Sequence, residues 1–135
     1  MRLPDWQSRL ATVMRDAAAR PFAWGEHDCV TFAAACVEAV TGVDPIADVR
    51  TQWADERQAL RLLAAGGGLR ALLGQRLQAL DVPALAQPGD VGVCLQDGRD
   101  GLCVCGGVNW HMPAKDGLAT LDPLQVVQAW RCSNA

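Results

Sequence analysis

The sequence predicts an α+β domain in which N-terminal helices pack on a C-terminal antiparallel sheet. Apolar residues recur at helical spacing through residues 1–80, and the pattern stops at the loop "VPALAQPGD". Beyond that loop, short apolar runs alternate with Asp-Gly and Gly-Gly turn signals. Helices first and strands second is an α+β layout, and 135 residues of half apolar composition suit one core. The chain is therefore read as a single domain, 1–135, helical over residues 1–80 and sheet over residues 88–135.

Each element has its own signal. Trp6, Leu10, Val13, Met14 and Ala17 form one face of a first helix over Trp6 to Ala19, which Pro21 ends. Asp28 is a good N-cap for a second helix from Cys29 to Val40, stopped by Thr41-Gly42. Trp53 to Ala65 reads as a third helix, broken by Gly66-Gly67-Gly68, and Leu69 to Leu80 as a fourth. About four short strands follow, in "VGVCLQ", "GLCVCGG", "VNWHMP" and "LATL", and the tail "PLQVVQAWRC" holds a helical turn and a last strand at Trp130 to Cys132.

Bulk properties exclude several classes. The net charge is -3, and the 12 basic residues, 11 of them Arg, are scattered and not clustered as nucleic-acid binding requires. Arg2, Asp5 and Arg9 interrupt the apolar stretch that a signal peptide needs, and no run approaches the roughly 18 apolar residues of a membrane span. The expectation is a protein made in a cytoplasm, with its six cysteines reduced.

Cys29 carries the chemistry. A thiol in the first turn of a helix lies among unpaired backbone N–H groups at the positive end of the macrodipole, which favours the thiolate. Asp28 opposes that effect, and a cysteine among alanines also suits a core. A thiol nucleophile needs an imidazole to take its proton, and the sequence holds only His27 and His111. His27 would have to fold back over the helix cap; His111, on a strand, would need a register that brings it to Cys29. If the turn "DGRD" pairs Val91–Gln96 with Gly101–Gly106, Cys94 lies opposite Cys103 with Cys105 on the same face, a metal trio for which Cys132 would be the fourth ligand. The spacing lacks a C-x-x-C motif, so no metal and no cofactor is assigned. Trp6 and Trp53 are expected in the core, whereas Trp24, Trp110 and Trp130 are candidates for a cleft or a protein contact.

The stretch "PFAWGEHDC" resembles the start of the NlpC-type papain-like cysteine peptidases, and "PGDVGV" resembles that family's entry into the sheet. "GLCVCGGVNWHMPAKDGLATLDPL" is similar in rhythm to its next strands. The resemblance implies a papain-like fold, Cys29 at the nucleophile position and His111 at the third, orienting position, but it puts Gly101 where the family has its histidine base. The same pattern, closing on "DGL", "PL" and "AWR", also resembles small phage and prophage proteins encoded among tail genes.

Those resemblances imply a virion protein of the phage tail, a tail-tip or hub component with a papain-like fold and degenerate catalysis. Its partners would be neighbouring tail hub or tip proteins, with neither nucleic acid nor membrane involved. Trp24, His27, Asp28 and Trp110 are then the cleft or interface candidates. Five Trp, eleven Arg, one Lys and three Glu agree with an obligate interface. Two other readings stand beside it: an active peptidase cutting peptidoglycan stem peptides with Cys29 and His111, and a metal-stabilised structural plug built on Cys94, Cys103 and Cys105.

Overall fold

The computed structural model describes residues 1–133. Four helices come first, α1 (Trp6–Ala18), α2 (Cys29–Thr41), α3 (Glu56–Gly66) and α4 (Leu69–Gly74). Six strands follow: β1 (Gln78–Ala79), β2 (Val91–Gln96), β3 (Arg99–Cys105), β4 (Trp110–Ala114), β5 (Gly117–Leu121) and β6 (Val126–Arg131). They form one sheet in the order β1-β6-β2-β3-β4-β5, with every neighbouring pair antiparallel. The α+β class and its helix-then-sheet order hold.

The central helix is α2. Asp28 caps it with a carboxylate that accepts from the Val30 and Thr31 amides, while the Thr31 hydroxyl accepts from the Asp28 amide, closing a capping box. Gly42, in the left-handed region at φ 82, ends it. Because α2 is buried on nearly all sides, its apolar residues run without helical alternation. α1 crosses it, placing Leu10 and Ala17 inward, and the Arg9 guanidinium donates to the Ala39 carbonyl.

One face of the sheet, with Val91, Val93, Leu102, Val104 and Trp130, packs with Phe32, Val37 and Val40 of α2 in the main core. The other face buries a second, smaller core of Cys94, Cys103, Cys105, Trp110, Met112, Leu121, Val126 and Ala129. Gly92 is required there: an added Cβ would lie 2.7 Å from the Trp110 ring and 2.8 Å from Val126. Trp110 is thus filled in by its own domain at 3% exposure, and Trp130 likewise at 2%, so neither is an open contact residue. Trp53 is core as expected.

Several boundaries differ from the sequence expectation. α3 starts at Glu56 and not at Trp53, because Asp55 supplies the cap by accepting from the Gln58 amide. α4 stops at Gly74, well before Leu80, since Gln78 and Ala79 leave the helical path to pair with Arg131 and Trp130. The last strand is longer than expected, beginning at Val126 after a 3-10 turn over Pro123–Gln125.

The β2–β3 register is a further correction. Asp97 and Gly98 both have positive φ, 51 and 78, as a two-residue type I′ hairpin loop demands. Arg99 and Asp100 therefore belong to β3, Cys94 pairs with Gly101, and Cys103 pairs with Gly92. The shift is by two residues, which leaves Cys94, Cys103 and Cys105 on one face but removes the direct Cys94–Cys103 opposition.

Candidate functional site

The loop before α2 is shaped by a short series of backbone constraints. Gly25 sits at φ 80, and a Cβ there would lie 2.5 Å from the Trp53 carbonyl oxygen, so only glycine fits. Its amide donates to Asp28 Oδ2 at 2.8 Å, and the Trp53 indole donates to the same oxygen at 2.7 Å. Asp28, 1% exposed, thus accepts four hydrogen bonds: two hold the helix start and two tie down the loops on either side. Cys29 follows it as the first residue of α2.

Cys29 opens on a cleft of about 710 Å³. Phe22 and Trp24 form one lip, their rings in an edge-to-face contact at 4.9 Å, and Leu60 and Leu63 of α3 with Leu69 of α4 form an apolar wall. The sheet contributes Gly101, Met112 and Pro113, and the β2–β3 hairpin brings Gln96, Asp97 and Arg99 to the far end. Asp100 is held there by Arg70, Nε to Oδ2 at 2.9 Å. The cleft is mainly apolar with a charged end, the usual composition of a ligand groove.

The thiol is protected from ionisation. Burial pushes Cys29 up to about 11; the Leu102 backbone amide pulls the other way, and the Asp28 carboxylate and Cys94 add to the rise. The helix terminus that favours the thiolate is therefore outweighed by desolvation.

Neither histidine lines this cleft among the described residues. His111 is paired with Val104, three residues along β3 from Gly101, a separation of about 10 Å along a strand. Its Nδ1 lies 3.4 Å from Thr120 Oγ1, and its Nε2 lies 2.6 Å from where a Cβ on Gly106 would stand. Burial lowers the His111 pKa. His27 is 3% exposed, packs edge-on to Phe32 at 6.1 Å, and its Nε2 has no hydrogen-bond partner. Its backbone amide donates a hydrogen bond to the Ala23 carbonyl at 2.8 Å, and burial with nearby Arg20 holds its pKa below the ordinary value. Gly101 itself leaves room where a Cβ would meet the flexible Met112 methyl at 3.2 Å and Cys94 Sγ at 3.7 Å.

The remaining candidates divide between the two faces of the sheet. Cys94, Cys103 and Cys105 belong to the second core, while Cys132 packs in the main core with Cys36, so the four thiols do not converge. No group of three or more His, Cys, Asp or Glu side chains among the described residues is disposed to hold a metal ion. Trp24, at 37% exposure, is the tryptophan of the interface set that stays open, on the cleft lip.

Two residues that matter here carry no functional signal in the sequence. Trp53 reads as a core residue, yet its indole fixes the cap that presents Cys29. Asp90 of "PGD" is fully buried and accepts from the Cys132 amide at 2.9 Å, the Gln87 amide at 2.9 Å and Arg2 at 3.3 Å, tying both chain ends to the start of β2. An Asp directly after Pro-Gly is the available clue to that role.

No helix among the described residues is long and apolar enough to cross a membrane. No curated protein and no solved structure matches the chain. A family model described as "Domain of unknown function (DUF6950)" matches residues 1–132. With all but the last three residues covered by that match, the chain belongs to the DUF6950 family.

Proposed function

We propose that this chain is an NlpC-type papain-like module that has given up catalysis and serves as a tail-tip or hub component of a phage virion, its cleft holding a segment of a neighbouring tail protein. The observation that carries the reading is the composition of the cleft. Cys29 stands at the head of a buried helix with its thiol pushed up to about 11, and the position that the resemblance reserves for the base is Gly101. A thiol without an imidazole within hydrogen-bond reach neither ionises readily nor returns a proton to a leaving amine. The groove around it still has the size, the apolar wall and the exposed Trp24 that a bound chain segment needs.

The virion and papain-like elements of this reading rest on the resemblances of "WGEHDC", "PGDVGV" and the closing "AWR", supported by the order of helices before an antiparallel sheet. The test is complementation of a phage or prophage deleted for this gene. Particles carrying Cys29→Ser should assemble and infect as wild type, with the protein present in purified tails. Loss of infectivity in Cys29→Ser particles that assemble normally, together with release of stem-peptide fragments from peptidoglycan by the wild-type protein, would establish the peptidase in its place.

A further inference from the structure

The second core holds a sulfur cluster that borders the cleft through Met112. Cys94 Sγ lies 3.8 Å from Met112 Sδ, and Cys103, paired with Gly92 while Cys94 pairs with Gly101, stands on the same buried face one diagonal step from Cys94. The type I′ hairpin creates this arrangement by setting Cys94 against Gly101, so that Cys103 becomes its diagonal neighbour on the same face and Met112 fills the space over the glycine. Cys105 is turned away, its sulfur accepting from the Gly107 amide at 3.4 Å. The three clustered residues, Cys94, Cys103 and Met112, are buried at 1%, 0% and 4% exposure in an apolar surround.

We propose that Cys94, Cys103 and Met112 form a three-coordinate site for a soft monovalent metal ion, cuprous copper. At a metal–sulfur bond of about 2.3 Å, three sulfurs in a plane around one ion lie about 4.0 Å apart, close to the 3.8 Å already present between Cys94 and Met112. Two thiols and a thioether select copper(I) over harder ions. Zinc prefers four ligands, and the three sulfurs of this set supply three. Binding releases thiol protons to solvent as the sulfurs take up the metal. Met112 and Gly101 also line the cleft, which gives the ion a route from solvent to the cluster.

The test is titration of the reduced, full-length protein with Cu(I) under anaerobic conditions against a competing Cu(I) chelator, with X-ray absorption on the loaded wild-type protein. One equivalent bound by three sulfurs at about 2.3 Å is expected. Met112→Leu conserves volume and should fold, leaving two sulfurs and weakening affinity at least tenfold, since even outer-shell losses cost about 10–100-fold. Cys103→Ser should weaken it further, while Cys36→Ala, on the other face of the sheet, should leave it unchanged. An affinity and sulfur count unaltered in Met112→Leu, nitrogen or oxygen in the coordination shell, or absence of stoichiometric binding by the wild type would overturn the site.

Discussion

The Trp53 indole nitrogen donates to Asp28 Oδ2 at 2.7 Å, joining a loop residue to the cap of a helix that lies well before it in the chain. The bond is fully buried, and it makes the position of Cys29 depend on the segment that precedes α3. Trp53→Phe keeps most of the packing and removes the donor. Hydrogen bonds to charged groups contribute about 1.5–3 kcal/mol, and Asp28 retains its Gly25 partner on the same oxygen. The expected loss is about 1–3 kcal/mol, measured as a lower urea midpoint with an unchanged slope. A midpoint within error of wild type would show that the bond does not hold the cap.

Reactivity follows from the protected thiol. With its pKa pushed up to about 11, Cys29 should alkylate slowly with iodoacetamide at pH 7, and its rate should climb steadily past about pH 9, where an ordinary thiol is levelling off. Gly101→His would bring an imidazole to the cleft lining, its Cβ 3.2 Å from the flexible Met112 methyl and 3.7 Å from Cys94 Sγ and Gln96 Oε1. Faster labelling of Cys29 in Gly101→His at neutral pH is the expected response. Rapid labelling of the wild type that disappears in His111→Ala would instead mean that His111 reaches the thiol in solution.

His27 gives stability a pH dependence with a defined sign. Its folded-state pKa lies below the ordinary 6.5 because burial and Arg20 disfavour the charged ring. The unfolded chain therefore binds the proton first as pH falls, and folding stability is full above about 6.5 and declines below it. His111 is shifted in the same direction and adds to the trend. Asp44, lowered chiefly by its hydrogen bond to Arg50, contributes stability that is lost only in the more acidic range, as pH falls through about 3.8 and below. Urea unfolding between about pH 5 and 8 should show the decline, and His27→Gln should flatten it. A profile equally steep in that variant would assign the effect elsewhere.

Those features of the fold that depend on local rules are legible in the sequence. Asp28 as a cap, Gly42 as a stop and the short apolar run of β2 can be read because each involves residues within a few positions of one another. The register of β2 on β3 turns on the choice of loop: "DGRD" offers both a four-residue loop and an Asp-Gly pair, and the tighter, pre-twisted pair wins. The fourth helix is shorter than its pattern because Leu77 and Leu80 continue the periodicity, while the competing pull, pairing with β6, comes from residues far along the chain. The same distance hides the site. Cys29 can be nominated from its helix start, and the resemblance sets Gly101 in the same site, but that Met112 and Trp53 gather around it depends on tertiary packing that no spacing encodes.

The exposed tryptophan supplies a test of the assembly reading. Trp24 is 37% exposed on the cleft lip, braced edge-on by Phe22, while Trp53, Trp110 and Trp130 are committed to the domain's own cores. A large, braced aromatic side chain at the mouth of an apolar groove is the type of residue on which binding energy concentrates, and truncating one commonly costs about 2 kcal/mol or more, about thirtyfold or more in affinity. Trp24→Ala should therefore remove the protein from purified tails while its isolated unfolding transition stays close to wild type, because Asp28, Gly25 and Trp53 keep the loop in place without it. Phe22→Ala should have a smaller effect on incorporation, acting through the loss of the brace. Normal incorporation of Trp24→Ala would place the contact surface elsewhere on the domain, and a large loss of stability in the isolated variant would make Trp24 a structural residue.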